Sequence, residues 1–142
     1  MNGLLFDINI QGHFRYLLHL LAALDLVGMW EAEDLDVFTV PQLGYPRDVR
    51  DRVIWNRCQS DGLVLVTENR NDDGPDSLER AMADALTPDS LPVLTLANKP
   101  RFERDRRYAL IVADAFLNAV SDTAAGKNRG VGRLYLPTRP VV

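Results

Sequence analysis

The chain of 142 residues has one cysteine, Cys58, and two histidines, His13 and His19. A single thiol excludes an intrachain disulfide framework and any zinc site built on several cysteines. The two histidines stand six positions apart, which misses the i,i+4 spacing of a helical zinc pair. No apolar run approaches the ~20 residues needed to span a bilayer. A basic segment followed by an apolar stretch and a cleavage site is absent from the amino-terminal residues, so a cytoplasmic protein with no membrane association is expected. Gly-rich phosphate loops of the GxGxxG or GxxxxGK type follow none of the expected strands, which counts against a nucleotide-binding domain. Positive charge is the minority sign, with 16 Lys and Arg against 20 Asp and Glu, a net charge of -4. That excludes coating of nucleic acid by bulk charge but permits a local basic patch. Internal repeats and low-complexity tracts are also missing.

What remains is an ordinary globular composition, 46% hydrophobic and 25% charged. It suits one domain over residues 1–137 with a short tail at 138–142. Residues 3–6 form a short apolar run that fits a buried strand and stops at Asp7. A helical stripe follows Gly12 through Phe14, Leu17, Leu18, Leu21 and Leu24. Residues 36–40 read as a second strand. A second helix is expected from Pro46, with Val49, Val53, Ile54 and Cys58 at three- and four-residue steps, ending at Gly62. Residues 63–67, Leu-Val-Leu-Val-Thr, read as a strand buried on both sides. Asp76 or Ser77 caps a helix carrying Leu78, Ala81, Met82 and Ala85. Strands are expected at 91–97 and 131–136, separated by one long helix over 101–121. Such alternation means an α/β sandwich of three layers, its five-stranded sheet mainly parallel. Ligands then bind beyond the carboxyl ends of the strands.

Acidic and amide side chains collect near that edge. Asp7 follows the first strand and Asn9 comes two residues later. Asp51 lies near the start of the second helix. Glu68, Asn69, Asn71, Asp72 and Asp73 follow the third strand. Clustered carboxylates repel one another, and a hard divalent cation relieves that cost. Oxygen ligands favour Mg²⁺ or Mn²⁺ over zinc. Each residue also has a plainer reading: a turn former, a helix cap or a solvated acid.

Three segments together, Asp7-x-Asn9, Asp51-Arg52-Val53-Ile54 and Asp61 through Asn71, resemble the PIN-like family of small predicted ribonucleases, proteins similar to the toxins of toxin–antitoxin pairs. The resemblance covers residues 4–73. It implies a PIN-like fold with strand order 3-2-1-4-5 and Mg²⁺- or Mn²⁺-dependent cleavage of RNA. By position, it implies that Asp7 and Asp51 are catalytic metal ligands. The family's Thr-x-Asp-x-Asp is Thr67-Glu68-Asn69-Arg70-Asn71 in this chain, so two acids are replaced by amides. Asp72 and Asp73 stand next in line as metal ligands, Asp73 completing the catalytic set. Asn9, Asn69 and Asn71 are expected to orient water or phosphate, and Arg70 to engage the RNA backbone. The amides motivate a competing expectation: a catalytically inactive PIN-like module that binds a protein partner or a second copy of itself.

Lys99, Arg101, Arg104, Arg106 and Arg107 follow the fourth strand at the expected edge. With Asn98 they form a candidate surface for RNA phosphates, although Glu103 and Asp105 neutralise part of it. Lys127, Arg129 and Arg133 form a second basic group. Trp30, Trp55 and Phe38 are expected in the core or at an interface.

Overall fold

Strand β1 (Gly3–Phe6) is buried at every residue, as its apolar sequence requires. A computed structural model of the protein describes residues 1–68 and 74–138. After β1 come helix α1 (His13–Ala23), helix α2 (Val27–Ala32) and strand β2 (Asp36–Thr39). Helix α3 (Asp51–Asp61), strand β3 (Leu63–Thr67) and helix α4 (Leu78–Ala85) follow. Strand β4 (Val93–Leu96), helices α5 (Lys99–Arg104) and α6 (Arg106–Ala124) and strand β5 (Arg133–Leu136) complete the described elements.

All five strands are parallel, in the order β2-β1-β3-β4-β5. The α/β class, the five-stranded sheet and the helices on both faces agree with the sequence reading. The order 3-2-1-4-5 does not, because β3 lies inside the sheet beside β1 and not at its edge. Burial explains the difference. Strand β3 is apolar on both faces and buried throughout, whereas β2 begins with exposed Asp36 and is nowhere fully buried. The half-polar strand takes the edge.

The pleat sorts the strand residues into two cores. On the first face Leu4, Phe6, Val64, Val66, Leu94, Leu96 and Leu136 meet α1, α2, α5 and α6. Phe6 anchors this side, with Phe14 at 5.3 Å and Phe116 at 6.2 Å between ring centroids. On the second face Leu5, Leu63, Leu65 and Val93 meet α3 and α4. Both tryptophans are buried, Trp30 in the first core and Trp55 in the second, and Phe38 packs against the second.

The crossovers follow from these layers. The chain leaves β1 toward β2 through the first face, returns over β1 to β3 through the second, and continues to β4 through the second. It then moves on to β5 through the first face. The fourth crossover is therefore opposite in hand to the other three, a departure from the usual uniform handedness. Helix α6 packs on the first face against β4 and β5. On the second face of β5, Tyr135 is 41% exposed.

Three helix boundaries differ from the sequence reading. Helix α3 starts at Asp51, because residues 46–50 form a turn closed by the Val49 N–H donating to the Pro46 carbonyl. The helix expected over 101–121 is two helices. Asp105 is extended (φ -110°, ψ 101°) and caps α6, its carboxylate accepting from the Tyr108 N–H. Helix α2 was not expected.

Gly3 shows how tightly β1 and β2 are joined. A Cβ there would collide with the Asp36 carbonyl oxygen, a backbone atom that cannot yield cheaply. Gly3→Ala is expected to lower stability by about 1–3 kcal/mol in urea denaturation. An unchanged midpoint would contradict the register Gly3↔Asp36.

Candidate functional site

Beyond Phe6 the ladder runs one residue further, the Asp7 N–H donating to the Val66 carbonyl at 2.9 Å. Strand alternation turns the Asp7 side chain toward the second face, the side of Leu5. Thr67 shares that side, is fully buried, and its Oγ1 donates to Asp7 Oδ2 at 2.9 Å. Asp7 Oδ1 accepts from the Ile8 N–H at 2.8 Å and so caps the short 3-10 turn Ile8–Ile10. Both carboxylate oxygens are thus oriented by the protein, and each keeps acceptor capacity. Asp7 thus fills the capping role.

The polar row continues along the same level of the sheet. Thr95 is the register partner of Thr67 and is also fully buried. Arg133 Nη1 donates to Thr95 Oγ1 at 2.6 Å, and Arg133 pairs with Glu79 of α4. The Arg133 side chain is only 8% exposed. Arg133 therefore does not belong to a surface basic group with Lys127 and Arg129; it closes the bare second face of β5 against α4. A visible signal for this row was available: one threonine in each of two otherwise apolar strands.

Asp51 is the first residue of α3, on the second face. An 11-residue helix and a five-residue strand are each about 16 Å long. Since α3 runs antiparallel to β3 and joins it through Gly62, Asp51 stands level with the carboxyl end of β3. Gly62 makes that tight join with a left-handed backbone (φ 71°). Asp51 lines a cleft of about 250 Å³ with Arg50, Gly74, Pro75 and Ser77. The start of α3 is clamped to this stretch: the Arg52 N–H donates to the Asp76 carbonyl and Arg50 pairs with Asp76 at 3.0 Å. Cys58 lies two turns along α3, and its thiol is pushed up to about 12, first by burial, then by Asp61 and Asp7.

Asp7 and Asp51 accordingly occupy one edge and one face. Asn69, Arg70, Asn71, Asp72 and Asp73 lie outside the described residues. Among the described residues, no three His, Cys, Asp or Glu side chains come together as a metal-binding group.

The remaining expected contacts separate. Asn9 lies in the turn after Asp7 and lines a different cavity, on the first-face side. Asn98 caps α5, its Oδ1 accepting from the Arg101 N–H at 3.0 Å. Lys99 is half-buried at the start of α5. The Arg101 guanidinium lies 4.4 Å from the Tyr108 ring centroid and 3.4 Å from the Asp105 carboxylate. Arg106 meets His19 at 3.3 Å. The cluster is thus partly committed to holding α5 and α6 together, while Arg104 and Arg107 are exposed.

Protein-family models, curated proteins and solved structures offer no match to this chain.

Two consequences are measurable. A buried thiol held so far above its usual range is protonated and inert. Cys58 is expected to resist iodoacetamide at pH 8 in the native protein and to react in denaturant; rapid native labelling would contradict its burial. Asp105 is held below the ordinary carboxylate range, first by the Tyr108 N–H and then by Arg101. A lowered folded pKa stabilises the protein above the unfolded value near 4, and that stabilisation fades as pH falls. Asp105→Ala should therefore lower Tm at pH 7, with the gap to the parent closing toward pH 3. A gap independent of pH would contradict this role.

Proposed function

We propose that this chain is a PIN-like ribonuclease that hydrolyses RNA phosphodiesters with Mg²⁺ or Mn²⁺ held at the carboxyl edge of its sheet. The observation that carries the reading is the fixed Asp7 carboxylate, oriented by Thr67 and the Ile8 N–H on the face where α3 presents Asp51. Supporting protein hydrogen bonds of this kind orient and tune ligating carboxylates.

Asp7 and Asp51 would hold the ion, with Asp72 or Asp73 as further ligands. When bound, the cation supplies Lewis-acid polarisation of the phosphate and a lowered pKa for attacking water. The chain's own contribution is positional. Thr67 holds Asp7 against rotation, and the clamp between α3 and residues 74–77 holds Asp51. Arg104 and Arg107, exposed beyond β4, attract the RNA backbone.

Asp7→Asn should abolish Mn²⁺-dependent cleavage of single-stranded RNA with the far-UV spectrum unchanged. Thr67→Val should weaken activation by Mn²⁺ by about 10–100-fold. Cleavage that survives Asp7→Asn would overturn the reading. The amides Asn69 and Asn71 favour a second reading, an inactive module of the same fold that binds a protein partner or its own copy. Absence of cleavage together with no rise in Tm at millimolar Mn²⁺ would select it.

A further inference from the structure

A cavity of about 580 Å³ opens on the other side of the same edge. This volume is in the range of small-ligand sites. The segment directly after Asp7 supplies one wall, through Ile8, Asn9 and Gln11; α1 supplies His13 and Tyr16, and α5 supplies Glu103. We infer that this cavity receives an unstacked nucleobase next to the scissile phosphate, preferably one with an exocyclic amino group. The inference rests on the RNA reading above and names the substrate feature that reading lacks.

Three observations carry it. The ring walls are held in place before any ligand arrives: His13 stacks on Phe102 at 6.1 Å, and Tyr16 meets Phe102 edge-on at 5.1 Å. The lining includes the Glu103 carboxylate and neither lysine nor arginine. A phosphate is disfavoured there, whereas a neutral planar ring with N–H donors is suited to it. Glu103 Oε2 already meets His13 Nε2 at 3.2 Å, which fixes the carboxylate as an acceptor at the rim. An exocyclic amino group matches that acceptor, and the uracil O4 carbonyl does not. Lastly, a three-residue 3-10 turn spans about 6 Å. The cavity wall therefore begins beside the carboxylate that the cleavage reading requires.

The test is a titration of the metal-free, isotope-labelled full chain with adenosine, cytidine, guanosine and uridine, followed by backbone amide shifts. Inorganic phosphate serves as the comparison probe. Saturable shifts are expected at residues 8–16 and around Glu103, with cytidine, adenosine and guanosine binding several-fold more tightly than uridine. Glu103→Gln should erase the preference over uridine, and the same spectra show that this variant is folded. The inference is overturned if these amides show no saturable shift, or if phosphate displaces the nucleoside from them. Saturable nucleoside binding without RNA cleavage would refute only the cleavage reading. Cleavage without such binding would refute only the base pocket.

Discussion

The hydrogen bond from Thr67 to Asp7 joins the ends of the two strands at the centre of the sheet. Its geometry depends on the register of β1 with β3, since Phe6 faces Val66 and the next pair along is Asp7 and Thr67. A slip of one residue in either strand would put the two side chains on opposite faces. The fully apolar run of β3 prevents that slip, because its residues fill both cores. Hydrophobic burial thus sets the aim of a carboxylate, and the hydroxyl of a buried threonine holds it there. Replacing Thr67 would remove one of the two hydrogen bonds that orient the Asp7 carboxylate.

The strand order places this bond at the point where the chain departs to opposite sides of β1. In open α/β sheets that is where a crevice forms between the two helix layers. The carboxylates Asp7 and Asp51 belong to the layer of α3 and α4, and the cavity of Gln11, His13 and Glu103 belongs to the layer of α1 and α5. The unusual hand of the last crossover matters here. Because α5 and α6 return over the first face, Glu103 meets His13 across the cavity and the arginines after β4 stand near the same edge. A final crossover of the ordinary hand would carry them to the layer of α3 and α4. The same choice leaves β5 uncovered on its second face, where Arg133, Glu79 and Thr95 join in its place.

Much of the fold was legible because apolar runs are short and bounded. The strands at 3–6 and 63–67 end at Asp7 and Glu68, and the stripe from Phe14 to Leu24 marks α1. Asp105 was not legible as a break, since Phe102 and Ala109 continue an apolar stripe on either side of it; only the cap geometry separates α5 from α6. Pro46 suggested a helix start that the turn at 46–50 displaces to Asp51. Helix α2 has six residues and a glycine, and Trp30 burial rather than periodicity holds it. Strand order depends on which strand can bear an exposed edge, and the resemblance to a known pattern did not supply that. At the site, Asp7 and Asp51 were legible as acids near strand and helix ends. Thr95 and Arg133 were not, because their meeting depends on the pairing of β4 with β5. Gln11 and Glu103 were not legible as neighbours at one cavity because one stands before α1 and the other in α5, and only the packing of those helices brings them together.

The central claim is that Asp7 and Asp51 share one divalent cation at the carboxyl edge. Anomalous diffraction from crystals soaked in Mn²⁺ tests it most directly. The expected result is a peak about 2 Å from an Asp7 carboxylate oxygen, with Asp51 in the same coordination sphere or one water away. A peak bound elsewhere, or one that Asp51 reaches neither directly nor through a single water, would contradict it.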